Sequence, residues 1–336
     1  MASLKPTAAE SLASAARALH YALNETGTVD EAFKKLYAAA DPQQHETLRS
    51  LEKLLRSPES EPTTPRKLRL SSYPTLAWLL RQTSTPERSA AALFGEFRRH
   101  QSFSATAMFT VWSEFAGFLA YLGAVLAVLI LLLVMYGLFV LPQFRGLYGQ
   151  FGTPLPRITS MMFGGGAPLF TLLLVSAIGL LASLWWFVLD LRRKLRRYAP
   201  LSAGYLKLPL IGAVALAYNQ YLWLSYAALL RATGMSAAEA LRIAGGRLPL
   251  APVERWETLP VSSAPGLVND LALAFRLGKL DEETSFQQVA TVDSFLAALH
   301  RCRSRSRLVL TICIYYLVAS YVAAMYLPIF SLGSAM

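Results

Sequence analysis

The side chains that could do chemistry are few and far apart. The four histidines, His20, His45, His100 and His300, are scattered, which reads as surface residues rather than metal ligands. The two cysteines, Cys302 and Cys313, would lie ~16 Å apart along one helix, too far for a disulfide. Gly164, Gly165 and Gly166 are not followed by the lysine of a phosphate-binding loop, and no Gly-x-Ser-x-Gly elbow occurs. Asp190 stands next to Arg192 and Arg193, which reads as a local ion pair. The expectation is a protein without catalytic residues, metal or cofactor. Two short patterns do carry a mechanism. Thr28 with Glu31, and Ser236 with Glu239, have the spacing of a capping box, in which a hydroxyl and a carboxylate each satisfy a backbone N–H at a helix start.

The elements that hold these residues are set by three apolar runs. Residues 115–141 contain no charge and no proline, and as a helix would extend ~40 Å, more than the ~30 Å hydrocarbon core of a bilayer. Residues 168–189 and 308–327 are equally free of charge and near the ~20 residues a crossing needs. A helix satisfies its own backbone hydrogen bonds and can therefore cross lipid. Charged side chains make up only 16% of the 336 residues, and mean hydropathy is +0.38, in line with membrane residence. Because no charge lies inside a run, an ion or proton pathway is disfavoured. Gly117, Ala120 and Ala124 would either allow close helix packing in the first run or face lipid.

The net charge of +11 is unevenly placed. Arg192, Arg193, Lys194, Arg196 and Arg197 follow the second run; Arg301, Arg303, Arg305 and Arg307 precede the third; Arg98 and Arg99 precede the first. Between the first two runs only Arg145 and Arg157 are charged, and nothing after Arg307 is. This asymmetry predicts an inward N-terminus and middle block and an outward C-terminus, with the basic clusters on anionic lipid. No aromatic residues interleave with the basic ones, so nucleic acid is not an expected partner. The first ten residues lack an apolar signal region, so the internal runs would direct insertion.

The predicted fold is all-α: an integral membrane protein with three transmembrane helices and two cytoplasmic helical-bundle domains. The expected order is a cytoplasmic helical domain over 1–114, a span over 115–141, an external loop over 142–167 and a span over 168–189. A second cytoplasmic domain over 190–307, a span over 308–327 and an external tail over 328–336 follow. In the first domain Leu12, Ala15, Ala16, Leu19 and Leu23 have helical spacing, and Phe33, Leu36 and Tyr37 would form the buried face of the next helix. In the second, a helix from Ala213 to Ala232 bears Tyr218, Tyr221, Trp223 and Tyr226 and is stopped by Gly234. Helix, glycine stop and capped helix thus occur twice, at Gly27 and Gly234. Leu141-Pro142-Gln143-Phe144 is echoed by Leu327-Pro328-Ile329-Phe330. The pattern suggests an internal duplication.

These residues resemble a known family, the inner-membrane platform proteins of type IV pili and type II secretion (GspF/PilC). The likeness rests on Leu141-Pro142, Phe144, Tyr148, Gly152, Leu155-Pro156 and Thr159. Pro209, Gly212, Leu229-Leu230, Gly234 and Ala240-Leu241 add to it, as do Leu327-Pro328 and Phe330. Where family members carry Gly-Glu, this chain has Gly278-Lys279-Leu280-Asp281-Glu282, the mark of a divergent member. The resemblance implies a non-enzymatic, homo-oligomeric scaffold in the bacterial inner membrane, with other inner-membrane assembly proteins around it. Its cytoplasmic bundles would contact a hexameric assembly ATPase, and its membrane part would handle pilin or pseudopilin subunits. The ATPase-facing candidates are Gly27, Thr28, Glu31, Arg192, Arg193, Lys194, Gly234, Ser236 and Glu239. The pilin-facing candidates are Pro142, Phe144, Gly152, Pro156, Thr159, Pro328 and Phe330. The main alternative is a permease subunit of an ATP-driven transporter, which would carry more spans and a substrate cavity. A lipid-processing enzyme would need clustered Asp, His or Ser at a span end.

Overall fold

The computed structural model describes residues 8–57, 68, 71–83, 86–150, 156, 159–160, 168–250, 256 and 266–333. Among them there is no strand. The helices are α1 (Ala8–Thr26), α2 (Val29–Ala39), α3 (Pro42–Arg56), α4 (Tyr73–Arg81), α5 (Pro86–Met135), α6 (Leu141–Gln150) and α7 (Pro168–Arg197). The short α8 (Ala203–Leu206), then α9 (Gly212–Arg231), α10 (Ala237–Gly245), α11 (Leu267–Arg276) and α12 (Leu280–Gly333) complete the chain. Three of these helices, those holding the apolar runs, are long and apolar enough to cross a membrane.

The chain divides into two compact units, and the division does not follow chain order. One unit comprises residues 1–110 and 191–302, the other 111–190 and 303–336. The two polar blocks, expected as separate bundles, therefore share one unit. Their contacts are specific: Ser89 Oγ donates to the Thr233 carbonyl, and Trp78 packs on Tyr226 at 5.7 Å between ring centroids.

Within the polar unit, α1 buries Leu12, Ala15, Ala16, Leu19 and Leu23, the stripe its spacing predicts. Each such leucine stabilises the fold by ~1.5–3 kcal/mol. On α2, Phe33 is buried, whereas Leu36 and Tyr37 are half-buried, and the Tyr37 hydroxyl donates to Glu52 at 2.7 Å. Helix α9 is buried nearly all round, as a central helix must be when every face is apolar. Its polar atoms find partners within reach: Trp223 Nε1 donates to the Leu241 carbonyl at 2.8 Å, and the Asn219 side chain bonds both backbone groups of Leu201.

The centre of this unit is aromatic. Tyr198 stacks on His100 at 3.5 Å and lies edge-on to Tyr226. Tyr198 has φ +53°, a left-handed conformation that side chains other than glycine's rarely adopt. It ends α7: the Ala199 N–H donates back to the Lys194 carbonyl, the bond of a Schellman terminus. Glycine usually fills this position. Here a fully buried ring, a 2.6 Å bond between Tyr198 and Ser225 hydroxyls, and bonds from Thr75 and Tyr226 to its carbonyl hold a tyrosine there.

The apolar unit has its own core, to which all three apolar runs contribute: Leu126 and Leu129 from α5, Ala177 from α7, and Leu317 and Tyr321 from α12, with Tyr136 and Leu141. Two expectations are corrected here. The first run was expected to end at Pro142 and give way to a loop, yet residues 142–150 are helical. Proline removes a donor and clashes with the carbonyl four residues back. The helix answers with a π-turn over Tyr136–Val140, where the Leu141 N–H reaches the Tyr136 carbonyl, and then continues as α6. Likewise the third run does not stop at Leu327: α12 passes through Pro328 to Gly333, so most of the expected tail is helix.

Candidate functional site

The residues expected to face an ATPase lie at three places in the polar unit. At the first, Gly27 has φ +71° and turns α1 into α2. Thr28 is extended and begins α2, but its hydroxyl makes no cap hydrogen bond, so the expected box is absent. Thr26 Oγ1 instead donates to the Ala22 and Thr28 carbonyls, occupying the turn from the other side. Gly27, Thr28 and Glu31 are exposed, beside the Lys35–Glu25 and Arg56–Asp30 ion pairs. The result is an acidic turn in which Glu31 alone among these carboxylates has no ion-pair partner among the described residues.

At the second, Gly234 has φ +90° and turns α9 into α10. Ser236 Oγ accepts the Glu239 N–H at 3.4 Å, which is half of the expected box. The other half fails because the Glu239 carboxylate is taken by Arg242, at 2.6 Å. That guanidinium holds the Glu239 carboxyl below its usual range. Next to this turn is an open polar cleft of about 510 Å³ lined by Glu96, Arg99, Arg231, Met235 and Asp281. Arg231 pairs with Asp281 at 2.7 Å, and Arg99 with Glu96 at 2.8 Å. Among the described residues no hydrogen bond or ion pair joins the Gly27 turn to the Gly234 turn.

The third is the basic stretch of α7. Leu191, Leu195 and Tyr198 point inward, leaving Arg193 and Arg196 exposed and Arg192 and Lys194 half-buried. The helix end is anchored from the start of α4: Ser72 Oγ, just before that helix, donates to the Arg196 carbonyl at 2.9 Å, and Thr75 Oγ1 to the Arg197 carbonyl at 3.2 Å. The stretch thus has a structural duty in its backbone and a charged outer face.

His100, close to this helix end, is the most perturbed histidine. Its ring is 2% exposed, and Nδ1 lies 3.1 Å from the Tyr221 hydroxyl. Burial pushes its pKa down to about 3, so the ring is neutral in the fold. Burial also raises the Tyr198, Tyr221 and Tyr226 hydroxyls above the usual phenol range. These groups stack and bond to one another in the core. Among the described residues no three His, Cys, Asp or Glu side chains gather at metal-binding distance.

Of the pilin-facing candidates, Thr159 and Pro328 come close together in the apolar unit. Thr159 is fully buried, and its Oγ1 donates to the Ala324 carbonyl at 3.0 Å. That carbonyl is the one Pro328, four residues on and without an N–H, cannot serve. The Tyr148 hydroxyl donates to the Pro328 carbonyl at 2.8 Å. Two residues of the stretch after the first apolar run, Tyr148 and Thr159, thus bond to backbone carbonyls of α12 at and one turn before Pro328. Pro156 starts a turn in which the Ser160 N–H reaches its carbonyl. Pro142 is exposed, Phe144 half-buried, and Phe330 projects with 72% of its surface free. Gly152 lies outside the described residues.

Sequence reading missed two groups. Glu114, immediately before the first apolar run, forms an ion pair with Arg303, five residues before the third. Tyr136 opens the π-turn and packs edge-on against Tyr321 at 6.1 Å, while the Tyr321 hydroxyl donates to the Leu132 carbonyl. The signal for the first was a lone carboxylate at the border of a run whose counterpart begins with arginines. For the second it was a tyrosine six residues ahead of a proline.

No protein-family model, no curated protein and no solved structure matches this chain.

Proposed function

We propose that this protein is a membrane platform of the type IV pilus or type II secretion kind, a scaffold that couples a cytoplasmic assembly ATPase to the movement of pilin or pseudopilin subunits. The observation that carries the reading is the convergence at Pro328. Tyr148 and Thr159 were singled out in one family-like stretch and Pro328 in another far along the chain; Tyr148 bonds the Pro328 carbonyl and Thr159 the Ala324 carbonyl one turn before it.

Further support comes from surface chemistry. The apolar unit exposes Leu131, Leu138, Phe139, Val175, Ile312 and Phe330, a covering that favours lipid over water. It favours residence in a membrane, and the positive-inside asymmetry supports our reading of a bacterial inner membrane with the N-terminus and polar unit on the cytoplasmic side. The acidic Gly27 turn, the Gly234 turn with its cleft, and the basic face of α7 are the surfaces offered to the ATPase. The scaffold acts as a homo-oligomer.

The test is deletion with complementation in the host. Cells that lack the protein but keep normal pilin levels lose surface fibres or secretion, and the wild-type gene restores them. Normal fibres and secretion without the protein would overturn the reading.

A further inference from the structure

Between the first and third apolar runs, the apolar unit has a cleft of about 280 Å³. Phe118, Leu122 and Val125 form one wall, at the i, i+4, i+7 spacing of one face of α5. Ile314 and Tyr315 of α12 form the other, and Arg307 lies at one end. The cleft follows directly on the Glu114–Arg303 ion pair, one helical turn earlier on both helices. Glu114 is paired with Arg303, and Arg307 is exposed with no acidic partner among the described residues. Two tyrosines flank the cleft with most of their surface free, Tyr121 at 68% and Tyr315 at 71%.

An apolar slot ending in an unpaired cation, rimmed by amphipathic rings, has the chemistry of a lipid with a negative headgroup. We propose that this cleft binds one anionic phospholipid, its phosphate against Arg307 and an acyl chain between α5 and α12. Water-soluble anions would leave the apolar walls bare, and a zwitterionic lipid would gain less from Arg307. The inference rests on the membrane reading above but not on the identity of the machine.

The test uses the full-length protein, incorporated into nanodiscs of phosphatidylcholine with a minor fraction of phosphatidylglycerol. Lipids retained after transfer to detergent are counted by native mass spectrometry. The wild type retains phosphatidylglycerol over phosphatidylcholine by about five-fold, the ratio equivalent to the ~1 kcal/mol a basic side chain gains at an anionic surface. Arg307→Gln abolishes the preference, Arg307→Lys keeps it, and Arg305→Gln, which lies outside the cleft, keeps it. Leu122→Trp fills the slot and lowers retention of both lipids. Equal retention of both lipids by the wild type, an undiminished preference in Arg307→Gln, or unchanged retention in Leu122→Trp would overturn the site while leaving the membrane reading intact. Failure of the wild type to enter nanodiscs at all would overturn both.

Discussion

The Thr159 hydroxyl donates to the Ala324 carbonyl, the group that Pro328 strips of its backbone donor. The expected outcome is a pairwise dependence. Thr159→Val leaves a buried carbonyl unserved and lowers stability by about 1 kcal/mol. Pro328→Ala restores an N–H to Ala324, so Thr159→Val on that background has an effect near zero. Thermal unfolding of the four proteins in detergent closes the double-mutant cycle. Additive effects would show that the hydroxyl does not stand in for the missing donor.

Tyr198 holds the left-handed end of α7 through its ring and its hydroxyl. Tyr198→Phe, which loses the bond to Ser225, is expected to cost about 1 kcal/mol. Tyr198→Gly relieves the backbone but empties the aromatic core and is expected to cost about 3–5 kcal/mol. Denaturant unfolding followed by tyrosine and tryptophan fluorescence measures both. A Tyr198→Gly variant as stable as the wild type would mean that backbone strain, not packing, dominates there.

The two capping sites are expected to respond differently to alanine. Ser236→Ala removes an observed cap bond and costs about 0.5–1 kcal/mol. Thr28→Ala removes a hydroxyl with no cap bond and changes stability by less than about 0.5 kcal/mol. Equal losses at both sites, measured as shifts in melting temperature, would contradict the difference between the two turns.

His100 makes the stability of the polar unit depend on pH. The ring is neutral in the fold, with a pKa near 3, while in the unfolded chain it takes up a proton near the ordinary value of 6.5. The unfolded state therefore binds more protons as pH falls below 6.5, and stability drops from there down towards pH 3. At pH 5 the loss from this group is about 2 kcal/mol. Melting temperatures between pH 8 and pH 5 check this against His100→Gln, whose slope is flatter. Equal slopes would place the His100 proton elsewhere.

The sequence carries the helices and their glycine stops, because apolar length and positive-φ glycine are local signals. The inward stripe of α1 and the all-round burial of α9 are legible for the same reason. What it hides is compensation at a distance. Pro142 and Pro328 read as helix ends, yet a π-turn at one and a hydroxyl from Thr159 at the other let the helices continue. Thr28 reads as a cap like Ser236, but Thr26 fills the turn first. The two polar blocks read as two bundles, whereas contacts such as Ser89 with Thr233 join residues 144 apart in one unit. None of these partners is marked by spacing along the chain.

Membrane crossing is tested most directly by the accessibility of single cysteines in intact cells, after Cys302 and Cys313 are replaced by serine. A membrane-impermeant maleimide is expected to label Gln150→Cys, at the end of α6, without permeabilisation. Lys194→Cys, beyond the second apolar run, is expected to react only after the membrane is opened. Labelling of Lys194→Cys from outside intact cells, with Gln150→Cys protected, would contradict the orientation on which the proposed scaffold depends.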